Sequence, residues 1–269
     1  MNKPKYINWF VKESNITLED GFPIICYRLD YEIDEDVFRE WAIHIRRHYE
    51  SDNDLKESLL DTGMSLENYL RINVIPQKSE PRGPTSRSTD FTEIIISDLI
   101  EFIHGYVVPR CKQQNRSGKT QSEHGSDILA YKFLESDKLP NVKDELFVIE
   151  VKGELSSDKY TPIINAVNAS HKYDKFRHTH TLNYYRKKLK SLKKYEQAKD
   201  ISRFQKKSEN DYIITYIAAA INSRIMIPDN IILGLKGEDL ELRKNNKVFF
   251  VHGKKLMDLA HKIYDKCVE

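Results

Sequence analysis

The sequence predicts an α/β (α+β) fold in which helices flank a β-sheet, with a smaller α+β region at the N-terminus. Short apolar runs bounded by turn residues indicate strands, and apolar residues at helical spacing indicate helices before and after them. With 269 residues, of which 39% are hydrophobic, the chain is long enough to bury a sizeable core.

Residues 1–84 form the predicted N-terminal region. Residues 23–29 are typical of a strand, and the helix that follows has an apolar stripe that includes Phe38 and Trp41. These aromatic residues are expected in the core, with a partner surface as the alternative. Between residues 76 and 89 the composition shifts to Pro, Gly, Ser and Arg, which is typical of a loop or linker. We therefore predict a boundary after residue 84 and a second region over residues 85–269.

The second region is predicted to begin with a helix that Thr89 or Asp90 caps and that ends at Gly105. Three strands follow it, and after them come a helix from Thr161 and one long basic helix over residues 182–207. The three strands are predicted at residues 106–111, 125–131 and 146–152. Further strands are predicted to start near Tyr212, over 231–235 and over 247–253, before a final amphipathic helix from Leu256.

One apolar run carries two charges where a buried strand is expected. Glu150 and Lys152 lie two residues apart in the run from Leu146 to Gly153, so they point to the same face of a strand. Burying charge is costly unless the charge is paired or binds a metal. If residues 125–131 pair with this strand as a hairpin, Asp127 lies beside Glu150. The sequence therefore predicts a metal site.

The order of these acids resembles a nuclease family. Glu93 in a helix, then Gly125-Ser126-Asp127, then Glu150-Val151-Lys152 is similar to the PD-(D/E)xK core, with Ser-Asp in place of Pro-Asp. The resemblance implies a restriction-endonuclease-like mixed sheet. More narrowly, the chain length, the acidic N-terminal part and the run from Glu150 to Glu154 are similar to the HamA family, the nuclease subunits of the Hachiman antiphage defence system.

The chemistry of phosphodiester hydrolysis assigns expected roles to these residues. Asp127 and Glu150 offer hard oxygen ligands suited to Mg²⁺ or Mn²⁺, and the backbone carbonyl of Val151 is a plausible further ligand. Lys152 would orient the attacking water or stabilise the developing negative charge. By resemblance, Glu93 acts as an outer ligand, directly or through a water molecule.

Each assignment has a simpler alternative. Glu150 and Lys152 could form an exposed pair on an edge strand, and Asp127 could be a turn residue. Glu93 could serve only to complement the dipole in the first turns of its helix.

The net charge of +2 hides an uneven distribution. Residues 1–80 carry 10 Lys and Arg against 16 Asp and Glu, whereas residues 172–207 carry 13 against 3, with interleaved aromatic residues. Such a basic stripe suits the phosphates of DNA, with RNA as the alternative substrate and a solvated helix face as the simpler interpretation. The lysines expected to contact phosphates are Lys187, Lys188, Lys190, Lys193 and Lys194.

Partners and location are expected from the resemblance and from composition. The resemblance implies a helicase subunit, HamB, that restrains the nuclease, and the acidic N-terminal region is a candidate docking surface for it. No run approaches the roughly 18 apolar residues of a membrane span, and no signal peptide is evident, so a cytoplasmic location is expected. Two other functions remain possible: a catalytically inactive nucleic-acid-binding subunit, and a protein-interaction subunit whose basic helix binds an acidic partner.

Overall fold

The computed structural model describes residues 2–121, 123, 125–135, 138–156, 161–171, 175–206, 208–223, 236, 242 and 246–269. Within them, seven strands form one sheet in the order β1-β3-β7-β6-β5-β4, with β2 pairing with β3. The strands are β1 (Phe10–Lys12), β2 (Ile16–Thr17), β3 (Pro23–Leu29), β4 (Ile128–Lys132), β5 (Glu145–Glu154), β6 (Ile213–Asn222) and β7 (Asn246–Gly253).

The sheet is parallel in its centre and antiparallel at its margins. Strands β3, β7, β6 and β5 run parallel, whereas β4 pairs antiparallel with β5, and β1 and β2 pair antiparallel with β3. This confirms the predicted α/β (α+β) class with a mixed sheet. The strands predicted near Tyr212 and over 247–253 are also confirmed, while 231–235 lies outside the described residues.

Helices flank the sheet, as predicted. They are α1 (Glu35–Tyr49), α2 (Asp52–Thr62), α3 (Leu66–Tyr69), α4 (Gly83–Asp98), α5 (Thr161–His171), α6 (Lys175–Ser191), α7 (Tyr195–Phe204) and α8 (Leu256–Lys266). A 3₁₀ helix spans Lys5–Trp9, and π-helical turns follow α3 and α4 at Leu70–Val74 and Leu99–Ile103. Among the described residues, none of the helices has the length and apolar character needed to cross a membrane.

Alternating residues of β5 separate two apolar cores. Phe147, Ile149 and Val151 belong to the larger core, which α1, α4 and α8 cover. Leu146 and Val148 point the other way and pack with residues of α6 and α7. Because side chains alternate along a strand, Glu150 and Lys152 continue the row of Leu146 and Val148.

The N-terminal region shares this sheet and core. Strand β3 pairs with β7, and Trp41 is fully buried, with its ring stacked on Tyr6 at a centroid distance of 3.8 Å. Phe38 is buried in the same core, which confirms the core role predicted for both residues. The sheet and core therefore run across the predicted boundary at residue 84, and a docking role for this region stays a prediction.

Helix α4 begins at Gly83, so the prediction that Thr89 or Asp90 caps it was wrong. The preceding Arg82 is in the left-handed region with φ 63°, and Pro84 occupies the first turn. A Cβ on Gly83 would lie 1.8 Å from the carbonyl oxygen of Gln77. The Pro- and Gly-containing segment is thus a tight turn into the helix rather than a linker.

Two further sequence predictions were wrong. In place of a strand over residues 106–111, only Val107 forms a bridge, with Tyr131. The single basic helix predicted over 182–207 is broken into α6 and α7 at residues 192–194, where Lys193 has a φ of 57°. A residue in the left-handed region cannot continue a right-handed helix.

Candidate functional site

The predicted hairpin of β4 and β5 is present at one margin of the sheet. Ile128 pairs with Ile149, so in the same register Asp127 lies across from Glu150. The Val151 backbone N–H donates to Asp127 Oδ2 at 2.7 Å. Asp127 is therefore tied to the strand that carries the Glu-x-Lys motif, and it is more than a turn residue.

Glu150 is buried in the interior of the sheet. Its strand lies between β4 and β6, and the residue is only 8% exposed. The alternative of an exposed pair on an edge strand is therefore wrong. Lys152 is half-buried, with 42% of its side chain exposed, and its Nζ lies 3.9 Å from Asp127 Oδ2.

A close contact between α4 and β5 holds Glu93 near these residues. A Cβ on Gly153 would lie 2.3 Å from Thr92 Cγ2, so only glycine allows the helix to approach the strand this closely. Glu93 follows Thr92, is 7% exposed, and accepts a hydrogen bond of 3.0 Å from Gln113 Nε2. Because α4 starts ten residues earlier, Glu93 does not lie in the first turn, and the simple dipole role is wrong.

Lys112, which sequence reasoning missed, lies among the three carboxylates. It is 6% exposed, donates to the Ser126 carbonyl at 3.1 Å, and its Nζ is 3.7 Å from Asp127 Oδ1. Burial alone would lower the pKa of Lys112. The neighbouring acids Glu93, Asp127 and Glu150 outweigh that effect and raise the pKa of Lys112 above its ordinary value.

Glu93 shows the opposite balance. Its pKa is raised to about 8: burial is the largest cause, Lys112 and Arg116 lower the pKa, and the neighbouring Asp127 and Asp90 raise it. At neutral pH the side chain is therefore mostly protonated. A cation bound next to it would favour the ionised form.

The segment 108–116 supplies three cations that each meet an acid. Arg110 pairs with Asp98 and Glu101, and Lys112 lies beside Asp127. Arg116 makes two hydrogen bonds to Asp90, of 2.8 and 2.7 Å. In sequence this segment has the polarity of a solvated loop, and only its position against the acids of α4 and β4 explains its burial. The sequence signal that could have indicated this burial is the set of closely spaced basic residues in the segment, Arg110, Lys112 and Arg116.

The predicted phosphate-binding lysines fall into two groups. Lys187, Lys190 and Lys193 are exposed. Lys188 donates to the Asn115 carbonyl and to Glu123, and Lys194 donates to the Arg110 carbonyl and Gln114. The second group therefore anchors segment 108–116 and its continuation, which leaves the first group better placed for a ligand.

The donor set of this site fits a hard divalent cation. The side chains of Asp127 and Glu150 present carboxylate oxygens, with Glu93 close by. A buried ammonium already compensates these charges, which indicates that the site accommodates a cation. Mg²⁺ or Mn²⁺ matches this ligand chemistry.

Two comparisons with known proteins bear on this arrangement. A model of the HamA family matches residues 4–267, which is nearly the whole chain. Among curated proteins, no significant match is found.

Proposed function

The chain belongs to the HamA family, components of the Hachiman antiphage defence system, and we propose that it is a metal-dependent DNA endonuclease of that system. The observation that carries the proposal is the group formed by the buried Glu93 and Glu150 and the partly buried Asp127, with Lys112 and Lys152, at one margin of the sheet. Carboxylates gathered around a lysine next to a Glu-x-Lys motif suit phosphodiester hydrolysis.

In the proposed reaction, Asp127 and Glu150 would hold Mg²⁺ or Mn²⁺, and the Val151 carbonyl would be a further ligand. Such an ion would neutralise charge on the phosphate oxygens and help to generate the nucleophile. Lys152 supports the proposal because its ammonium is both tethered to Asp127 and partly exposed, so it can reach a phosphate in solvent. Its positive charge would stabilise the transition state or orient the attacking water. Glu93 acts as an outer ligand.

DNA is the proposed substrate. The exposed lysines of α6 and of the turn after it would contact the phosphate backbone, which carries no sequence information. The helicase subunit HamB is the proposed partner. It would restrain cleavage until foreign or damaged DNA is engaged, because uncontrolled cleavage would destroy host DNA.

Plasmid cleavage tests this proposal. The purified chain, with and without HamB, is incubated with supercoiled plasmid and Mg²⁺, and then with EDTA. Cleavage is expected in Mg²⁺, should stop in EDTA, and should be lost in Glu150→Gln and Lys152→Ala. The matched controls Glu209→Gln and Lys143→Ala change exposed residues outside the basic stripe and should cleave normally.

One observation favours a second candidate, a catalytically inactive nucleic-acid-binding subunit. Lys112 already compensates the carboxylates and would serve a purely structural role in such a protein. This candidate predicts no cleavage under any condition above, and unchanged DNA binding and phage protection when Glu150 becomes Ala. The nuclease predicts loss of both cleavage and protection with DNA binding retained.

A further inference from the structure

A second group of metal-ligating side chains lies outside the carboxylate site. His44 and His48 are four residues apart on α1 and therefore share one face of that helix. Asp98 is the last residue of α4. Their exposed fractions are 6%, 2% and 0%, and one ligand atom from each lies within 4.8 Å of the other two. The proposed cleavage reaction uses none of the three.

The distances within this group match a metal site. His44 Nε2 is 2.9 Å from Asp98 Oδ2 and 3.3 Å from His48 Nε2. In a tetrahedral zinc site, with Zn–N near 2.0–2.1 Å, ligand atoms lie about 3.3 Å apart.

Hydrogen bonding alone satisfies the group poorly. Nε2 of His44 carries either one hydrogen or one lone pair. If it carries the hydrogen, that hydrogen can align with Asp98 or with His48 but not with both. If it carries the lone pair, it accepts from His48 and faces a carboxylate oxygen with no hydrogen between them. A cation shared by the three atoms satisfies every one of these contacts.

Two further side chains hold Asp98 in place. Arg110 Nη2 lies 2.7 Å from Asp98 Oδ1, the opposite oxygen, and its guanidinium is shared with Glu101. The Tyr6 hydroxyl donates to Asp98 Oδ2 and is a candidate fourth ligand. Metal-ligating carboxylates are commonly held by such additional partners.

We propose that His44, His48 and Asp98 bind a zinc-type transition-metal ion that joins α1 to α4. Two imidazoles and one carboxylate favour Zn²⁺ over the Mg²⁺ or Mn²⁺ that suit an all-oxygen site. His44 also lines an open cavity of about 340 Å³ together with Glu40, Ile43 and Arg47, which gives an ion a route from solvent. The ion fixes the helix that carries Glu93, so it acts structurally.

Metal analysis of the protein tests this proposal. The full chain is prepared in complex with HamB without a polyhistidine tag, exposed to Zn²⁺, dialysed, and measured by mass spectrometry. About one zinc per chain is expected in the wild type, with at least a tenfold loss in His48→Ala and Asp98→Asn. The control His252→Ala changes another buried histidine with a carboxylate partner and should retain zinc. Glu150→Gln should also retain it, which separates this ion from the proposed catalytic one.

A measurement on the wild type covers the case in which these variants do not fold. Chelator-stripped wild type is titrated with Zn²⁺ and, separately, with Mg²⁺, and its thermal unfolding is followed. Stoichiometric zinc binding that persists in excess Mg²⁺, with a rise in Tm beyond any rise that Mg²⁺ alone causes, supports the site. Wild type that holds no zinc after dialysis, or zinc content unchanged by His48→Ala, overturns it.

Discussion

At the residue scale, Glu93 and Lys112 show how a buried site balances charge. Both side chains are almost fully buried, and burial disfavours the charged form of each. Lys112 has three acids around it and stays charged, whereas Glu93 has acids on two sides and has a raised pKa. The outcome depends on the neighbours that the fold brings together, which no local sequence pattern reveals.

The pKa of Glu93 predicts a pH-dependent stability. Its value of about 8 in the folded protein is above the ordinary 4.5, so the folded state binds this proton more tightly. The stability from this group is complete below about pH 4.5 and is lost as the pH rises through 8. Glu93→Gln stays neutral and should gain stability relative to wild type between pH 5.5 and 8.5, by about 1.4 kcal/mol or more. Urea unfolding at both pH values measures this, and equal pH dependence of the two proteins would refute it.

Lys112 is predicted to stabilise the fold through its charge. Lys112→Met keeps much of the side-chain volume but leaves the buried acids without their cation, which should cost about 3 kcal/mol. Adding Asp127→Asn to this variant should recover part of the loss, because the carboxylate that lies 3.7 Å from Lys112 Nζ is then replaced by a neutral amide. Urea unfolding of both single variants and the double variant measures the coupling. Lys143→Met, at an exposed lysine, is the control, and a Lys112→Met loss no larger than the control's would contradict the prediction.

At the element scale, the contact between α4 and β5 positions the site. The two elements meet where Thr92 covers Gly153, one residue beyond Lys152. The same helix continues into the π-helical turn at Leu99–Ile103, next to Asp98 and its histidine partners. One helix therefore carries residues of both the carboxylate site and the proposed zinc site.

Gly153→Ala is predicted to push α4 away from β5. The added Cβ would lie 2.3 Å from Thr92 Cγ2, so the helix must shift, with a cost of about 1–3 kcal/mol for overpacking. Thr92→Ser removes that methyl group and should restore part of the stability in the double variant. Gly118→Ala, where the nearest atoms are 3.4 Å away on a flexible side chain, is the control. Thermal unfolding compares the four proteins, and a Gly153→Ala variant as stable as the control would show that the contact relaxes freely.

The sequence predicted the elements whose signal is local. The apolar run at 146–152 and the turn before it identified the hairpin, and residue spacing gave most of the helices. The start of α4 was missed because its signal is the close approach of Gly83 to the Gln77 carbonyl oxygen, which leaves no room for a Cβ and exists only in the folded chain. The burial of segment 108–116 was missed because its acidic partners come from α4 and β4. In both cases, contacts that form only in the folded chain decided the structure, and the local sequence does not show them.

At the scale of the whole molecule, one sheet joins the acidic and basic parts of the chain. Strand β3, from the acidic N-terminal region, pairs with β7, and β5 lies on the far side of β6. The sequence suggested two regions because composition changes at residues 76–89, yet the large core draws on both sides of that change. Hydrogen bonding between distant strands is invisible to composition.

The exposed lysines near α6 predict salt-dependent DNA binding. Replacing Lys187, Lys190 and Lys193 together with Ala should weaken binding to all DNA sequences equally. Each lost phosphate contact should reduce the slope of log affinity against log salt by about 0.9. Anisotropy titrations at several salt concentrations measure this, with the exposed lysines Lys56, Lys78 and Lys143 changed as the control. An unchanged slope in the triple-alanine variant would show that DNA does not contact these three lysines.

The central claim is that the acids around β5 cleave DNA with a divalent cation. The most direct measurement compares wild type and Glu150→Gln, each in complex with HamB, for plasmid cleavage in Mg²⁺ and for DNA affinity on the same preparations. The account predicts that Glu150→Gln binds DNA as wild type does but cleaves no faster than EDTA-treated wild type. Cleavage at the wild-type rate by Glu150→Gln would contradict it.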